Sequence, residues 1–421
     1  MKPIKLILFL HLLFSISIYS QNEAIGKSFI QSYLQEKDIT KSYAFFDDEV
    51  KSKVSESLLK STSQQLESQL GQFKSIIETN TDGNTCFYYS EFEKMKLDIK
   101  ISFGENKKII GFFFVPHKEF KKGPSLGDEL TIKSDNIDLK GTLLLPKEND
   151  LKKLVIFVHG SGPQDRDETV FENKPFRDIA ENLYTRGITS YRFDKRTLSN
   201  PESFTDKSTV YNEVSDDVAN IVKYFKQDTR FSQYEIIVLG HSLGANLMPH
   251  IANQSAQISK IILLAGNSRP LDQLLMEQYQ HLYKLNPTPE MEKEVKEVQK
   301  QIALLNSKNF NLNTPKEELP LNVSAYYWKS MLDYNPLKEV KSVKIPILIL
   351  QGERDYQVTM QDFALWKSTL KGNKKASFIS YPKLNHLFMS GGTAVSDPKE
   401  YEVKGSVDGD VINDIYNFIV K

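Results

Sequence analysis

The sequence contains a single cysteine, Cys86, and only two tryptophans, and its charge is balanced. A lone cysteine excludes an intrachain disulfide framework and any cysteine-rich zinc or iron–sulfur site. Because 54 basic residues stand against 54 acidic residues, the charge does not favour nucleic acid or an anionic membrane as the main partner. Hydrophobic residues at 40% and charged residues at 26% are typical of a globular protein. Composition therefore excludes several classes of function, and local motifs must identify the chemistry.

The N-terminus has the features of a secretory signal peptide. Lys2 and Lys5 form a short positive segment, and the run from Leu6 to Leu13 is almost wholly apolar. Because that run is too short for a comfortable membrane span, we expect a signal peptide over residues 1–20, cleaved after Ser20. A retained N-terminal anchor is the alternative. Such a signal would direct export to the periplasm or the extracellular space, and its cleavage would leave no stable membrane anchor.

Residues 22–120 predict a small α+β domain. Amphipathic helical patterns come first, and shorter alternating runs follow, among them CFYYSEF, MKLDIKISF and IIGFFFV. Cys86 lies in the first of these runs and has no disulfide partner, so we expect a buried thiol rather than a catalytic one. The segment resembles the DUF3887 family of NTF2/cystatin-like domains in its GQF stretch and its paired strands. Since NTF2-like sheets often pair, the resemblance favours a homodimer over substrate docking or envelope positioning.

From residue 127 the pattern changes to short apolar strands that alternate with helical segments. A hairpin is predicted first, in LTIKSDNIDLKGTLLLP, and core strands follow in KKLVIFV, EIIVL, ISKIILL and KIPILIL. This alternation indicates a mostly parallel sheet with helices on both faces. Residues 270–335 interrupt it with a charged helical segment. An excursion of this length between two core strands indicates a helical cap over a site.

Ser242 is the predicted nucleophile. It is the centre of GHSLG, which directly follows the strand EIIVL and precedes the helical segment ANLMPHIANQ. A sharp strand-to-helix turn needs glycine on both sides, because neighbouring side chains would collide. The turn raises the serine hydroxyl above the sheet and leaves the next backbone amide free.

A serine hydroxyl needs a base, and the base needs a carboxylate that orients it. Of the seven histidines, we choose His386, in a loop after the last core strand, since this satisfies the chain order serine, acid, histidine. His241 and His250 are too close to the serine along the chain to face it easily. Asp355 is the predicted acid, just beyond the strand LILQG, with Asp333 as the alternative from an earlier strand.

The backbone amides of Leu243 and Ser161 are the predicted oxyanion donors, with Gly160 as the alternative to Ser161. Both alternatives lie in HGSGPQDRD, the loop after the first parallel strand. The charged end of this loop, with Arg166, favours salt bridges that brace the site over direct substrate contact. A metal site is not expected, because no His or Cys ligands cluster there.

Three side chains are candidates for substrate contact, namely Tyr327, Trp328 and Arg166. The two aromatic residues lie in the predicted cap and would form a wall of the acyl or alcohol pocket. Packing of the cap on the core is the competing interpretation for both of them.

Residues 127–421 resemble the α/β-hydrolase superfamily, in the branch of dienelactone-hydrolase-related and EstD-like esterases. The stretches HGSGPQDRD, GHSLGAN, PILILQGERDYQV and LNHLF carry the resemblance. The family's nucleophile, acid and base fall on Ser242, Asp355 and His386, and its oxyanion donors fall on Ser161 and Leu243. Dienelactone hydrolases proper use a cysteine nucleophile, so serine here implies ester hydrolysis rather than lactone-specific chemistry.

We therefore expect an exported serine esterase that cleaves small or medium acyl esters through an acyl-enzyme and needs no cofactor. A serine peptidase or aminopeptidase on the same fold is one alternative. A catalytically inactive binding module, with a vestigial site, is the alternative from another class.

Overall fold

The computed structural model describes residues 18–82, 84–104, 106–118, 126–392 and 395–421. The chain divides into two compact units, with the boundary between Pro124 and Ser125. The predicted signal peptide, 1–20, lies almost wholly outside the described residues, the first of which begin a helix at Ile18. Among the described residues, no helix combines the length and hydropathy that a membrane span requires.

The N-terminal unit is the predicted α+β arrangement, with helices preceding one antiparallel sheet. Its helices are α1 (Ile18–Ile30), α2 (Ile39–Tyr43), α3 (Asp48–Lys51) and α4 (Glu56–Leu70). Its strands are β1 (Phe73–Asp82), β2 (Thr85–Phe92), β3 (Lys96–Phe103) and β4 (Ile109–Val115), paired in the order β1-β2-β3-β4. Phe29 and Tyr33 stack on each other with ring centroids 5.4 Å apart and anchor the helices in the aromatic core.

Cys86 is fully buried in this core, as expected. Burial raises the pKa of its thiol to about 11, so the group stays protonated at neutral pH. A protonated, inaccessible thiol is a poor nucleophile, which leaves the serine of the other unit as the candidate.

The C-terminal unit contains an eight-stranded sheet in the order β12-β11-β10-β9-β7-β8-β6-β5. The strands β5 and β6 form the predicted antiparallel hairpin, β6 pairs antiparallel with β8, and every pair from β8 to β12 is parallel. The strands are β5 (Asp128–Ser134), β6 (Ile137–Leu144), β7 (Lys153–Val158), β8 (Thr189–Phe193), β9 (Glu235–His241), β10 (Ile258–Leu264), β11 (Ile347–Gly352) and β12 (Ala376–Tyr381). This confirms the predicted α/β-hydrolase fold.

Helices cover both faces of the sheet, which explains why its central strands are apolar at every position. In β9, Ile236 and Val238 belong to one core cluster, whereas Ile237 and Leu239 belong to the cluster on the opposite face. The helices of this unit outside the insertion are α5 (Pro175–Tyr184), α6 (Arg196–Ser199), α7 (Asp216–Gln227), α8 (Leu243–Asn246), α9 (Met248–Gln254), α13 (Pro336–Glu339), α14 (Met360–Thr369) and α15 (Gly409–Val420).

The segment predicted as a cap is helical and lies in the chain between β10 and β11. Its helices are α10 (Leu271–Leu285), α11 (Pro289–Leu305) and α12 (Ala325–Asp333). Their apolar side chains share a buried cluster with Tyr356, Leu387 and Met389. These three residues lie on the loops after β11 and β12, so the insertion packs against the loops that carry Asp355 and His386.

Candidate active site

Ser242 lies at the tight turn between β9 and α8, with φ 51° and ψ −115°. A non-glycine residue in this region is strained, and such strain is typical of a nucleophile held above a sheet. The turn is pressed against the end of β7, because a Cβ at Gly244 would lie 2.3 Å from the carbonyl oxygen of Val158. A Cβ at Gly240 would lie 2.6 Å from the Gly244 carbonyl oxygen. Glycine at both positions is therefore a steric requirement.

His386 and Asp355 come together as predicted. The Nδ1 atom of His386 lies 2.7 Å from Oδ2 of Asp355, and both side chains are buried. The other carboxylate oxygen accepts hydrogen bonds from the backbone amides of Gln357, at 2.7 Å, and Val358, at 3.0 Å. With Nδ1 bound to a fixed carboxylate, Nε2 of His386 is the nitrogen left for proton transfer.

The alternative acid is excluded by its position. Asp333 lies at the end of α12, where both carboxylate oxygens accept from Lys329 on the exposed surface. Glu353 accepts a hydrogen bond from Ser380, 2.7 Å away, and so braces the end of β11.

Ser242 and His386 line one small cavity of about 50 Å³. The end of β9, the loop after β7 and the loops after β11 and β12 supply the other walls. These are Gly160, Ser161, Gln164, Glu168, Val170, His241, Gln357, Leu387 and Tyr401. The predicted nucleophile, the predicted base and one predicted oxyanion donor, Ser161, thus line one cavity.

The hydrogen bonds of the loop after β7 decide between Ser161 and Gly160 as donor. The Gly160 amide donates to Oε1 of Glu168 at 2.6 Å and is therefore occupied. Within the described parts of the chain, the amides of Ser161 and Leu243 have no protein acceptor. Both are available to a developing oxyanion, as predicted.

None of the three predicted substrate contacts lines the cavity, and each side chain has other partners. Tyr327 is buried, with its hydroxyl donating to Glu213 at 2.5 Å, and Trp328 is buried with its indole N–H on the Pro320 carbonyl. Arg166 forms a two-point ion pair with Asp194. Packing of the insertion, and bracing of the loop after β7, account for all three.

His241, which the sequence predicts cannot easily face the nucleophile, lines the same cavity. Its Nδ1 atom lies 3.1 Å from Oε2 of Glu168, and its Nε2 atom lies 2.9 Å from the His386 carbonyl oxygen. Glu168 also holds the Gly160 amide. One buried pair therefore joins three parts of the site. They are the loop after β7 that contains Ser161 (the oxyanion loop), the turn that contains Ser242 (the nucleophile turn) and the loop after β12 that contains His386 (the histidine loop).

The electrostatics of this pair favour its charged form. Burial lowers the pKa of His241, but the charge and hydrogen bond of Glu168, together with the His386 carbonyl and the charge of Asp355, raise it above the ordinary imidazole value. Burial raises the pKa of Glu168, yet the charge and hydrogen bond of His241, together with His159 and the Gly160 amide, lower it. By contrast, burial lowers the pKa of His159 to about 4, so its buried ring is neutral at pH 7.

The remaining histidines and the acidic loop lie in structural contacts. His250 lies 3.3 Å from Glu339. The Asp165 carboxylate accepts from the Thr169 amide and hydroxyl, and Asp167 pairs with Arg192. In the part of the chain that the structure describes, no group of three His, Cys, Asp or Glu side chains has the arrangement of a metal site.

Two protein families match this chain. The family described as "Serine aminopeptidase, S33" matches residues 149–390, and the family described as "Protein of unknown function (DUF3887)" matches residues 28–112. Esterase EstD of Thermotoga maritima is 31% identical over 431 residues, covering 99% of this chain and 100% of that protein. The acylamino-acid-releasing enzyme of Rattus norvegicus is 35% identical over 60 residues, which are 14% of this chain and 8% of that protein.

Two solved esterase structures are among the chains that this chain is similar to. Est1E from Butyrivibrio proteoclasticus is 18% identical and has a TM-score of 0.45, covering 70% of this chain and 99% of that chain. The Pyrococcus furiosus esterase Pf2001 is 16% identical and has a TM-score of 0.46, covering 70% of this chain and 91% of that chain.

The Glu168–His241 pair predicts a pH-dependent stability. Because the folded-state pKa of His241 is raised, its contribution is complete below the ordinary value of 6.5 and is lost as the pH rises through the raised value. We expect His241→Gln to lower the free energy of unfolding by about 3 kcal/mol at pH 5.5, since it leaves a buried carboxylate unpaired. The difference from the wild type should shrink at pH 9. Urea denaturation followed by tryptophan fluorescence measures it, because Trp328 and Trp366 both lie in the C-terminal unit.

His250→Gln is the matched control, since it changes a half-buried imidazole–carboxylate contact outside the cavity. We expect a loss below about 1 kcal/mol for this variant. An equal destabilisation by His241→Gln at both pH values would contradict the charged pair.

Proposed function

The chain belongs to the hydrolase family described as "Serine aminopeptidase, S33", and from that premise we propose that it is an exported esterase that cleaves short acyl esters through an acyl-enzyme on Ser242. Its N-terminal module belongs to the DUF3887 family. The observation that carries the proposal is the single cavity shared by Ser242, His386 and the free Ser161 amide, with Asp355 fixed behind the imidazole. Full-length likeness to an esterase supports a serine ester hydrolase.

The reaction follows from the roles that this geometry allows. Ser242 Oγ attacks the ester carbonyl while Nε2 of His386 takes the hydroxyl proton. The amides of Ser161 and Leu243 hold the negative oxygen of the tetrahedral intermediate. His386 then returns the proton to the leaving alcohol, which departs and leaves the acyl-enzyme on Ser242. Water, deprotonated by His386, attacks that ester, and collapse of the second tetrahedral intermediate releases the acid.

A peptidase activity is the second candidate, because the matching family is described as a serine aminopeptidase. An aminopeptidase needs a free carboxylate to bind the substrate's amino group. Glu168 is a carboxylate in the cavity wall, but it is already bound by the Gly160 amide and by His241. The cavity therefore favours a neutral ester. A comparison of aminoacyl arylamides with acyl esters separates the two activities, and no labelling by a fluorophosphonate would favour the inactive binding module.

The catalytic roles are tested by replacing the acid. Asp355→Asn should lower kcat for p-nitrophenyl acetate by about 10³- to 10⁴-fold, because the imidazolium loses its counter-charge and the imidazole its tautomer. Ser242→Ala should reduce turnover to the background rate and abolish labelling by a fluorophosphonate. Asp333→Asn is the matched control and should keep the wild-type rate, since Asp333 binds only Lys329. Wild-type turnover by Ser242→Ala would disprove the mechanism.

The size of the cavity predicts the acyl specificity. About 50 Å³ is small beside the roughly 300–1,000 Å³ of sites for larger ligands. We therefore expect kcat/KM to be highest for C2 to C4 p-nitrophenyl esters and to fall beyond C6. Val170→Ala should raise kcat/KM for the C8 ester relative to the C2 ester by about tenfold, because it removes two methyl groups from the wall and so enlarges the cavity. Val403→Ala, at an exposed position, should leave the ratio unchanged; a wild-type optimum at C8 or longer would contradict this specificity.

Export is tested at the N-terminus. The Lys2 to Leu13 pattern supports a cleaved signal, so protein isolated from the periplasm or medium of a bacterial host should begin near Gln21. Leu10→Arg, which places a charge in the apolar run, should retain the chain in the cytoplasm. Exported protein that still begins at Met1 would instead indicate the retained anchor. Homodimerisation through the N-terminal module stays a prediction.

A further inference from the structure

Lys195 is a buried cation directly beneath the oxyanion loop. It follows β8, and its side chain is only 2% exposed. Its ammonium donates to the Gly160 carbonyl oxygen at 2.7 Å and is paired with the Glu213 carboxylate. No step of the proposed reaction uses this lysine, so its burial needs another explanation.

The Gly160 carbonyl belongs to the same peptide unit as the Ser161 amide. The unit is trans, so its C=O and N–H point in opposite directions. Lys195 holds the carbonyl on the buried side, and the Ser161 N–H is thereby turned toward the cavity that Ser161 and Ser242 line. Glu168 holds the preceding amide, that of Gly160, in the same way. Rotation of the Gly160–Ser161 peptide would break the charge-assisted bond to Lys195.

We propose that Lys195 is a positioning residue for the oxyanion hole, which it builds by fixing the Gly160–Ser161 peptide with its N–H toward the substrate carbonyl. The proposal rests on the proposed acyl transfer at Ser242. The positive charge of the Lys195 ammonium, bound to the Gly160 carbonyl oxygen, also polarises the peptide. The Ser161 N–H thereby becomes a stronger donor to the oxyanion. Lys195 acts through Ser161 and touches neither the substrate nor the reacting atoms.

The helical insertion takes part in the same arrangement. Tyr327, on α12, donates its hydroxyl to the second oxygen of Glu213, at 2.5 Å. Glu213 therefore has one oxygen on Lys195 and the other on the insertion, and all three side chains are buried. A buried ion pair adds little stability over well-packed apolar residues. Its effect here is on orientation, because it fixes where the ammonium can lie.

The test replaces both charges together, since Lys195→Met alone would leave Glu213 buried and unpaired. In Lys195→Met/Glu213→Gln we expect kcat for p-nitrophenyl acetate to fall about 10- to 100-fold, somewhat less than for loss of a whole oxyanion donor. KM should change by less than threefold. The inhibition constant of a short alkyl boronic acid, whose serine adduct is tetrahedral, should rise in parallel with the loss of kcat/KM. Thermal unfolding shows that the variant is folded.

Lys260→Met is the matched control. Lys260 is also buried and donates to backbone carbonyls, those of Phe418 and Ile419, and none of these residues lines the cavity. It should keep the wild-type kcat and boronate affinity. A folded double variant with wild-type kcat, or with reduced kcat and unchanged boronate affinity, would overturn the role of Lys195. A wild-type protein that neither hydrolyses the ester nor reacts with a fluorophosphonate would overturn the proposed function as well.

Discussion

The close contact between the nucleophile turn and the end of β7 is the constraint on which the site depends. Gly244 lies so near the carbonyls of Val158 and His159 that no side chain fits between them. A Cβ at Gly160 would likewise lie 3.2 Å from the Cβ of Ser242. Because β7 and β9 are neighbouring parallel strands, their carboxyl ends meet at one edge of the sheet. The serine and the oxyanion loop are thus adjacent as a consequence of strand order and small residues.

The close contact with the nucleophile turn does not by itself orient the glycine-containing loop after β7. Buried charged side chains orient that loop. The Gly160 residue has its amide on Glu168 and its carbonyl on Lys195, so both of its polar groups are occupied by charged partners. Each partner is neutralised by a second buried side chain, His241 or Glu213. Loss of a single member would leave an unpaired buried charge at a cost of about 3–5 kcal/mol. These bonds occupy the Gly160 amide and leave the Ser161 amide available to the cavity.

The arrangement of Ser242, Asp355 and His386 could be predicted from the sequence because local patterns specify it. GHSLG after an apolar strand identifies Ser242, and chain order with strand ends identifies Asp355 and His386. The choice between Ser161 and Gly160 depends on Glu168, whose role is not visible from the motif. The contact of His241 with the loop that carries His386 is not visible in the sequence, because it is a tertiary contact that proximity along the chain conceals.

The sequence predicts Tyr327 and Trp328 in the wall of the pocket, and the physical reason why they lie elsewhere bears on specificity. Aromatic side chains in an insertion can face a pocket or the core, and composition is the same in both cases. Here both rings are buried, and the cavity walls come from the end of β9, the turn after it and the loops after β7, β11 and β12. Acyl selectivity should then follow the loop residues that face the serine. The insertion instead contacts the oxyanion loop indirectly, through Tyr327, Glu213 and Lys195. Substitutions in the insertion should therefore alter transition-state stabilisation more than they alter the preference for acyl length.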